Sequence, residues 1–278
     1  MSKERPQPYV GVSGVTNEYQ QYYLMDQFVW KGLDIPPAER KIGLGVKAVH
    51  KTQYLDIENK YGKEWYPVGE EAFAGAMDPP HSWALGVAQT YLDIEHVHDA
   101  EYRKEFVDRI CRRGKEWLNA IQFDLLPWHE DEQMLTFVEE VKADTGHTII
   151  LQAHGEAMQD LGPEGVARKL GNYASAIDYV LFDASHGKGV RMNPDALEPF
   201  IYAGYASGQL TGTGFGVAGG LSADVVREDL PFLVEKYPDI SWDAEGQLHP
   251  VGEDGKRPLN TGRVSEYLEA SSEILRQV

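Results

Sequence analysis

Eight short segments rich in Val, Ile, Leu, Phe and Gly recur along the chain, beginning near positions 9, 41, 84, 120, 148, 178, 213 and 239. Most intervals between them hold an amphipathic helical pattern: Glu101 to Leu118, Glu130 to Asp144, Pro163 to Ala174 and Ala223 to Lys236. Strand, helix and strand at this period is the signature of parallel βαβ units, because parallel neighbours need a long crossover. Eight such units close a barrel more naturally than an open doubly wound sheet, which is the architectural alternative. The expected fold is therefore a single (β/α)8 TIM barrel over residues 1–278, with a last helix, Arg263 to Arg276, sealing the ring. A length of 278 residues suits it, since the fold usually takes ~250.

The interval after the second segment is the outlier. Residues 50–82 read as a long loop insertion carrying Tyr54, Tyr61, Trp65, Tyr66, Pro79 and Pro80. A loop of that length covers a ligand, meets another subunit as in a homodimer, or forms a surface flap.

Charge narrows the partners. With 44 acidic against 26 basic residues the formal charge is −18, which repels nucleic acid and anionic membranes and leaves a small molecule as the expected partner. Any anion site must be local. The single cysteine, Cys111, excludes an internal disulfide framework and a cysteine-based zinc cluster, and on its amphipathic helix it reads as a packing residue. No run of about 18 apolar residues occurs and the first residues are polar, so a soluble, cytoplasmic chain is expected.

In barrels of this kind chemistry sits where strands end. The polar residues closing the apolar runs are Ser13, Lys47, Asp93, Asp124, His154, Asp183, the Gly219–Gly220 pair, Asp243 and Glu245. Paired glycines after the seventh strand let backbone N–H groups approach an anion, and a helix start follows them. Ser222 is the expected N-cap of that helix, with Asp224 in its first turn. Gly246 sits in the corresponding turn after the eighth strand. Asp183 closes an apolar strand before the Ser185–Gly189 run, so desolvation should raise its pKa and fit it to proton transfer, with Asp124 as the second carboxylate. His96 and His98 form a His-x-His pair that a metal-dependent hydrolase or lyase could use, although such barrels more typically carry the pair on the first strand. No Walker loop, dinucleotide fingerprint or Ser-His-Asp elbow is present, and no cofactor or metal is expected.

Several of these segments resemble the phosphoribosylanthranilate isomerases of tryptophan biosynthesis. Val10–Asn17 (VGVSGVTN) is similar to that family's K-I-C-G-I-T-N opening, and Asn119–Gln122 to its N-A-V-Q strand. Leu181–Asp183 with Gly187–Gly189 resembles its L-L-D and G-x-G run, and Ala218–Ser222 its S-G-G-L-x. Asp243–Gly246, Gly255–Lys256 and Arg263–Tyr267 are similar to the closing motifs. The resemblance implies a ribulose-phosphate-binding barrel and an Amadori-type aldose–ketose rearrangement of a phosphorylated sugar or amino-sugar conjugate. It implies Asp183 as general acid on the ring oxygen. Ser13 stands where the family has its general-base cysteine, and a serine hydroxyl is too weakly acidic to replace a thiolate. Asp124, where the family has a histidine, becomes the substitute base. Ala244–Glu245 replaces a serine pair, and Lys51 is the nearest cation to the family's arginine after the second strand. Gly219, Gly220, Gly246, Ser222, Lys51, Gln122 and His154 are the implied substrate-binding and phosphate-binding positions. A barrel that binds a phosphorylated metabolite without isomerising it is the alternative.

Overall fold

The computed structural model describes residues 4–77, 83–183 and 190–277. Eight strands form a closed, all-parallel barrel in chain order: β1 (Tyr9–Ser13), β2 (Lys41–Val49), β3 (Ala84–Tyr91), β4 (Ala120–Phe123), β5 (Thr148–His154), β6 (Tyr179–Asp183), β7 (Gly214–Ala218) and β8 (Ser241–Ala244). β8 returns to β1 with Val10 opposite Trp242 and Gly11 opposite Asp243, which closes the ring. The helices are α1 (Glu18–Trp30), α2 (Gly69–Met77), α3 (Ala100–Gly114), α4 (Gln133–Thr145), α5 (Gly155–Gly171), α6 (Pro194–Ala206), α7 (Ala223–Lys236) and α8 (Thr261–Leu275).

Strand side chains alternate between two cores, because successive residues point to opposite faces. Tyr9, Leu85, Val87, Ala120, Ile150, Tyr179, Leu181 and Ala218 fill the barrel lumen as one cluster. Their neighbours in sequence, such as Val10, Ile121, Val180 and Val217, pack outward against the helices. Small residues make room in the lumen: a side chain at Gly11 would collide with the Asp243 carboxylate, and one at Gly45 with the Ser13 hydroxyl.

Local signals set the helix ends. Asn17, Asp99, Asn193, Ser222 and Asn260 each accept a hydrogen bond from a backbone N–H in the first turn of the helix they precede, which satisfies groups that have no partner inside the helix. The expected start of a helix at Pro163 is the point of a break instead. α5 begins at Gly155, and Gly162 adopts φ 64° and ψ 176° just ahead of the proline, which disfavours helical geometry in the residue before it. α8 seals the ring against α1 through a Lys31–Glu269 ion pair and a Ser272 hydroxyl donating to the Lys31 carbonyl at 2.7 Å.

The segment after β2 is not a structureless loop. A π-helical turn spans His50–Tyr54, and α2 lies near its far end. Pro79, Pro80 and the Ser185–Gly189 run lie outside the described residues. No helix among the described residues is long and apolar enough to cross a membrane.

Candidate active site

A cavity of about 480 Å³ opens at the carboxyl ends of the strands. The same alternation that fills the lumen with apolar groups below carries Lys47, Gln89, Tyr91, Gln122, Asp124, Gln152, His154, Asp183 and Asp243 inward at this level. Gly219, Gly220, Gly246 and Glu245 line it from the loops after β7 and β8, and Tyr61, Trp65 and Tyr66 from the long segment after β2. Lys51 is exposed on the π-helical turn and does not reach it; Lys47, two residues before the end of β2, is the cation there. Ser222 is also outside the cavity lining, with its hydroxyl accepting from the Val225 N–H at 3.4 Å as the cap of α7.

The buried carboxyls are wired differently from one another. Asp243 accepts the Ser13 hydroxyl at 2.9–3.0 Å, and Gln89 donates to the Ser13 oxygen at 2.7 Å. Ser13 is thus engaged on both sides and is not among the residues that line the cavity. Asp124 accepts from the Gln122 amide at 2.9 Å through one oxygen, and the Tyr91 hydroxyl is its other hydrogen-bonding neighbour. Burial lifts the Asp124 carboxyl to about 7 against the pull of Gln122 and Lys47, and lifts Asp243 to about 8 against the Ser13 hydroxyl, with Glu245 and Asp124 adding to the rise. Asp183 accepts from Gln152 at 3.3 Å. The Gln152 side-chain oxygen in turn accepts the Leu125 N–H at 3.3 Å, and Leu125 holds φ 56°, a left-handed conformation uncommon for leucine.

Lys47 is enclosed. Its ammonium lies 2.6 Å from Glu245 and 4.7–5.2 Å from the ring centres of Trp65, Tyr66 and Tyr91. Burial opposes its charge, but Glu245 and Tyr66 override that and raise its pKa. The pairing joins Glu245, after β8, to Lys47 on β2. Trp65 is shared further: the Arg257 guanidinium stands 4.3 Å from its centre, and the His249 ring stacks on it at 5.5 Å. Arg257 donates to the Gly246 carbonyl at 2.8 Å and the His249 carbonyl at 2.9 Å, which places a guanidinium on the cavity wall beside Gly246.

The glycine pair forms the turn after β7. Gly219 and Gly220 hold φ 99° and 64°, and a side chain at Gly220 would strike the Val190 carbonyl. His154 also lines the cavity, from the end of β5, its Nε2 3.3 Å from the Leu126 carbonyl. Neither His96 nor His98 enters the cavity; His98 pairs with Asp131 at 2.9 Å. Cys111 is away from it as well, and burial pushes its thiol up to about 11.

Comparison with family models finds no match, and neither does comparison with curated proteins. Solved structures do match along nearly the whole chain. Monomers of the dimeric phosphoribosylanthranilate isomerase from Thermotoga maritima are 11% identical, with 96% of this chain and 99% of that one covered and a TM-score of 0.54. A GH113 β-1,4-mannanase gives 8% identity, coverage of 97% and 99%, and a TM-score of 0.54. A 3-hexulose-6-phosphate synthase gives 10%, 95% and 99%, and 0.50. The likeness is one of fold. At such identities it establishes a TIM barrel and carries neither family membership nor chemistry.

Sequence reading missed Gln89, Tyr91, Gln152 and Arg257. Gln152 was open to it, since it shares inward parity with His154 on β5, as were Gln89 and Tyr91, which precede Asp93 at the same parity. Arg257 comes from an irregular loop with no periodic signal.

Proposed function

We propose that the chain is an isomerase-like enzyme that moves a proton on a phosphorylated sugar or amino-sugar conjugate, an aldose–ketose rearrangement of the Amadori type. The observation that carries this reading is Asp124: a buried carboxyl at about 7, in one cavity with Asp183, the Gly219–Gly220 turn and Arg257. A base with a pKa near the working pH is where proton abstraction is most efficient. Asp124 takes the proton from the carbon beside the carbonyl, and Asp183 delivers one to the ring oxygen. The ester end lies on the amides of Gly219, Gly220 and Gly246, with Arg257 as its cation.

Charge balance supports an anionic ligand in an acid-lined cavity. Glu245 is neutralised by Lys47, and Asp124 and Asp243 carry protons over much of the neutral range.

The test is solvent-deuterium exchange at the carbon next to the carbonyl, followed by NMR over a panel of pentose and hexose phosphates and their arylamine conjugates. Asp124→Asn is expected to slow exchange by about 10²–10⁴-fold, the usual worth of a positioned general base. Asp183→Asn is expected to abolish turnover, with phosphosugar affinity kept in both variants. Undiminished exchange in Asp124→Asn overturns the assignment.

The engagement of Ser13 by Asp243 and Gln89 favours a second reading, a barrel that binds a phosphorylated metabolite without converting it. Phosphosugar binding with no exchange in the unmodified protein or in Ser13→Cys would support that reading over the first.

A further inference from the structure

The turn after β4 carries a histidine for which the fold supplies no hydrogen bond. The His129 side chain is only 4% exposed, and neither ring nitrogen has a hydrogen-bond partner among the described residues. Buried polar groups are nearly always satisfied, so such an imidazole calls for a ligand. Its Nε2 faces two carboxylate oxygens, Glu130 Oε1 and Asp160 Oδ2, each at 3.7 Å. That separation exceeds the 2.7–3.2 Å range of an N–H···O bond. It is close to the ~3.4 Å edge of a tetrahedron whose metal–ligand bonds are about 2.0–2.2 Å. The three ligand atoms lie within 4.8 Å of one another.

We propose that His129 Nε2, Glu130 and Asp160 hold one divalent transition-metal ion, with a fourth position open to water, on the outer side of the cavity wall. One nitrogen and two oxygens form a donor set suited to zinc, cobalt or manganese rather than to soft thiophilic ions. The histidine is held rigidly. Neighbouring Trp128 is fully buried, donates to the Gln152 carbonyl at 2.9 Å and offers its own carbonyl to Tyr173 at 3.0 Å. The His129 ring meets Trp128 edge-on at 5.8 Å and His154 at 5.1 Å. Glu130 is fixed on the turn by its N–H to the Pro127 carbonyl at 3.2 Å, and Asp160 comes from α5. A bound ion therefore clips the turn after β4 to α5, one imidazole behind the His154 that lines the cavity. A second group, Asp93, Glu95 and His96, has comparable spacing. Its histidine is exposed, and no buried nitrogen lacks a partner there.

The full chain, stripped with EDTA, is titrated with Zn²⁺ by calorimetry and with Co²⁺ by visible absorption. One equivalent of each is expected, with cobalt bands of nitrogen and oxygen coordination. Zn²⁺ should raise the melting temperature of the unmodified protein. Affinity should fall at least about tenfold in His129→Ala and in Asp160→Asn, and stay unchanged in His96→Ala. Asp160 is exposed, so its variant reports on the site even if the buried histidine cannot be replaced without unfolding. Absence of stoichiometric uptake overturns the proposal, as does uptake that survives both Asp160→Asn and His129→Ala or is lost only in His96→Ala.

Discussion

Asp124 and Asp243 both hold their protons well above the ordinary carboxylate range. A carboxyl whose folded pKa is raised above its unfolded value of ~3.9 contributes its stability in full below that value. The contribution is lost as the pH rises toward about 7 for Asp124 and about 8 for Asp243. Replacing Asp243 with Asn keeps an oxygen for Ser13 and removes the ionisation. Asp243→Asn is therefore expected to melt higher relative to the unmodified protein at pH 9 than at pH 5, as read by thermal denaturation at both values. An equal difference at the two would mean that the carboxyl is not protonated in the folded state. Function should carry the opposite slopes of the same titration: exchange falls below about 7 as Asp124 gains its proton, and affinity for a phosphate ester falls at higher pH as the acids ionise.

At the scale of the elements, the segment between β2 and α2 reaches the cavity through Trp65, which touches Lys47, Arg257 and His249 at once. Trp65→Ala removes the surface on which both cations rest. We expect it to weaken phosphosugar binding, measured by calorimetry, by about tenfold or more, on the order of 1.4 kcal/mol, within the range of desolvated cation–π contacts. The fold should survive, because strand pairing does not involve this segment. The aromatic content of the segment was visible in the sequence and its role was not, since irregular backbone has no period from which direction can be read. Strands are the reverse case. The starts expected for all eight fall within two residues of those observed, because apolar runs bounded by turn residues mark them. Lys47, Asp124, His154, Asp183 and Asp243 were legible as polar endings of those runs. Lys51 was misplaced because β2 continues to Val49 and then turns into a π-helical coil, whereas inward parity runs through Gly43, Gly45 and Lys47.

For the molecule as a whole, a formal charge of −18 acts on a closed ring of eight strands. Self-repulsion of that size destabilises the compact state, and salt screens it over a Debye length of ~10 Å at 0.1 M. Exposed ion pairs such as Arg191 with Asp229 and Arg227 with Glu273 oppose the effect weakly, since surface pairs contribute only ~0–1 kcal/mol each. The melting temperature at pH 7 is accordingly expected to rise between 10 and 300 mM NaCl. A fall would mean that local pairing outweighs the net field. The global fold was the most legible feature because eight repeats reinforce one another, whereas the cavity depends on single side chains from many elements.

The left-handed turn at Leu125 makes the rim after β4 a cocked piece of backbone. A leucine there sits against its own conformational preference, held down by the Gln152 amide, whose other end grips Asp183. One glutamine thus ties the residue after the proposed base, Asp124, to the proposed acid, Asp183. Whatever loosens that tie, a competing guest or a rotated amide, lets both carboxyls drift in the same stroke.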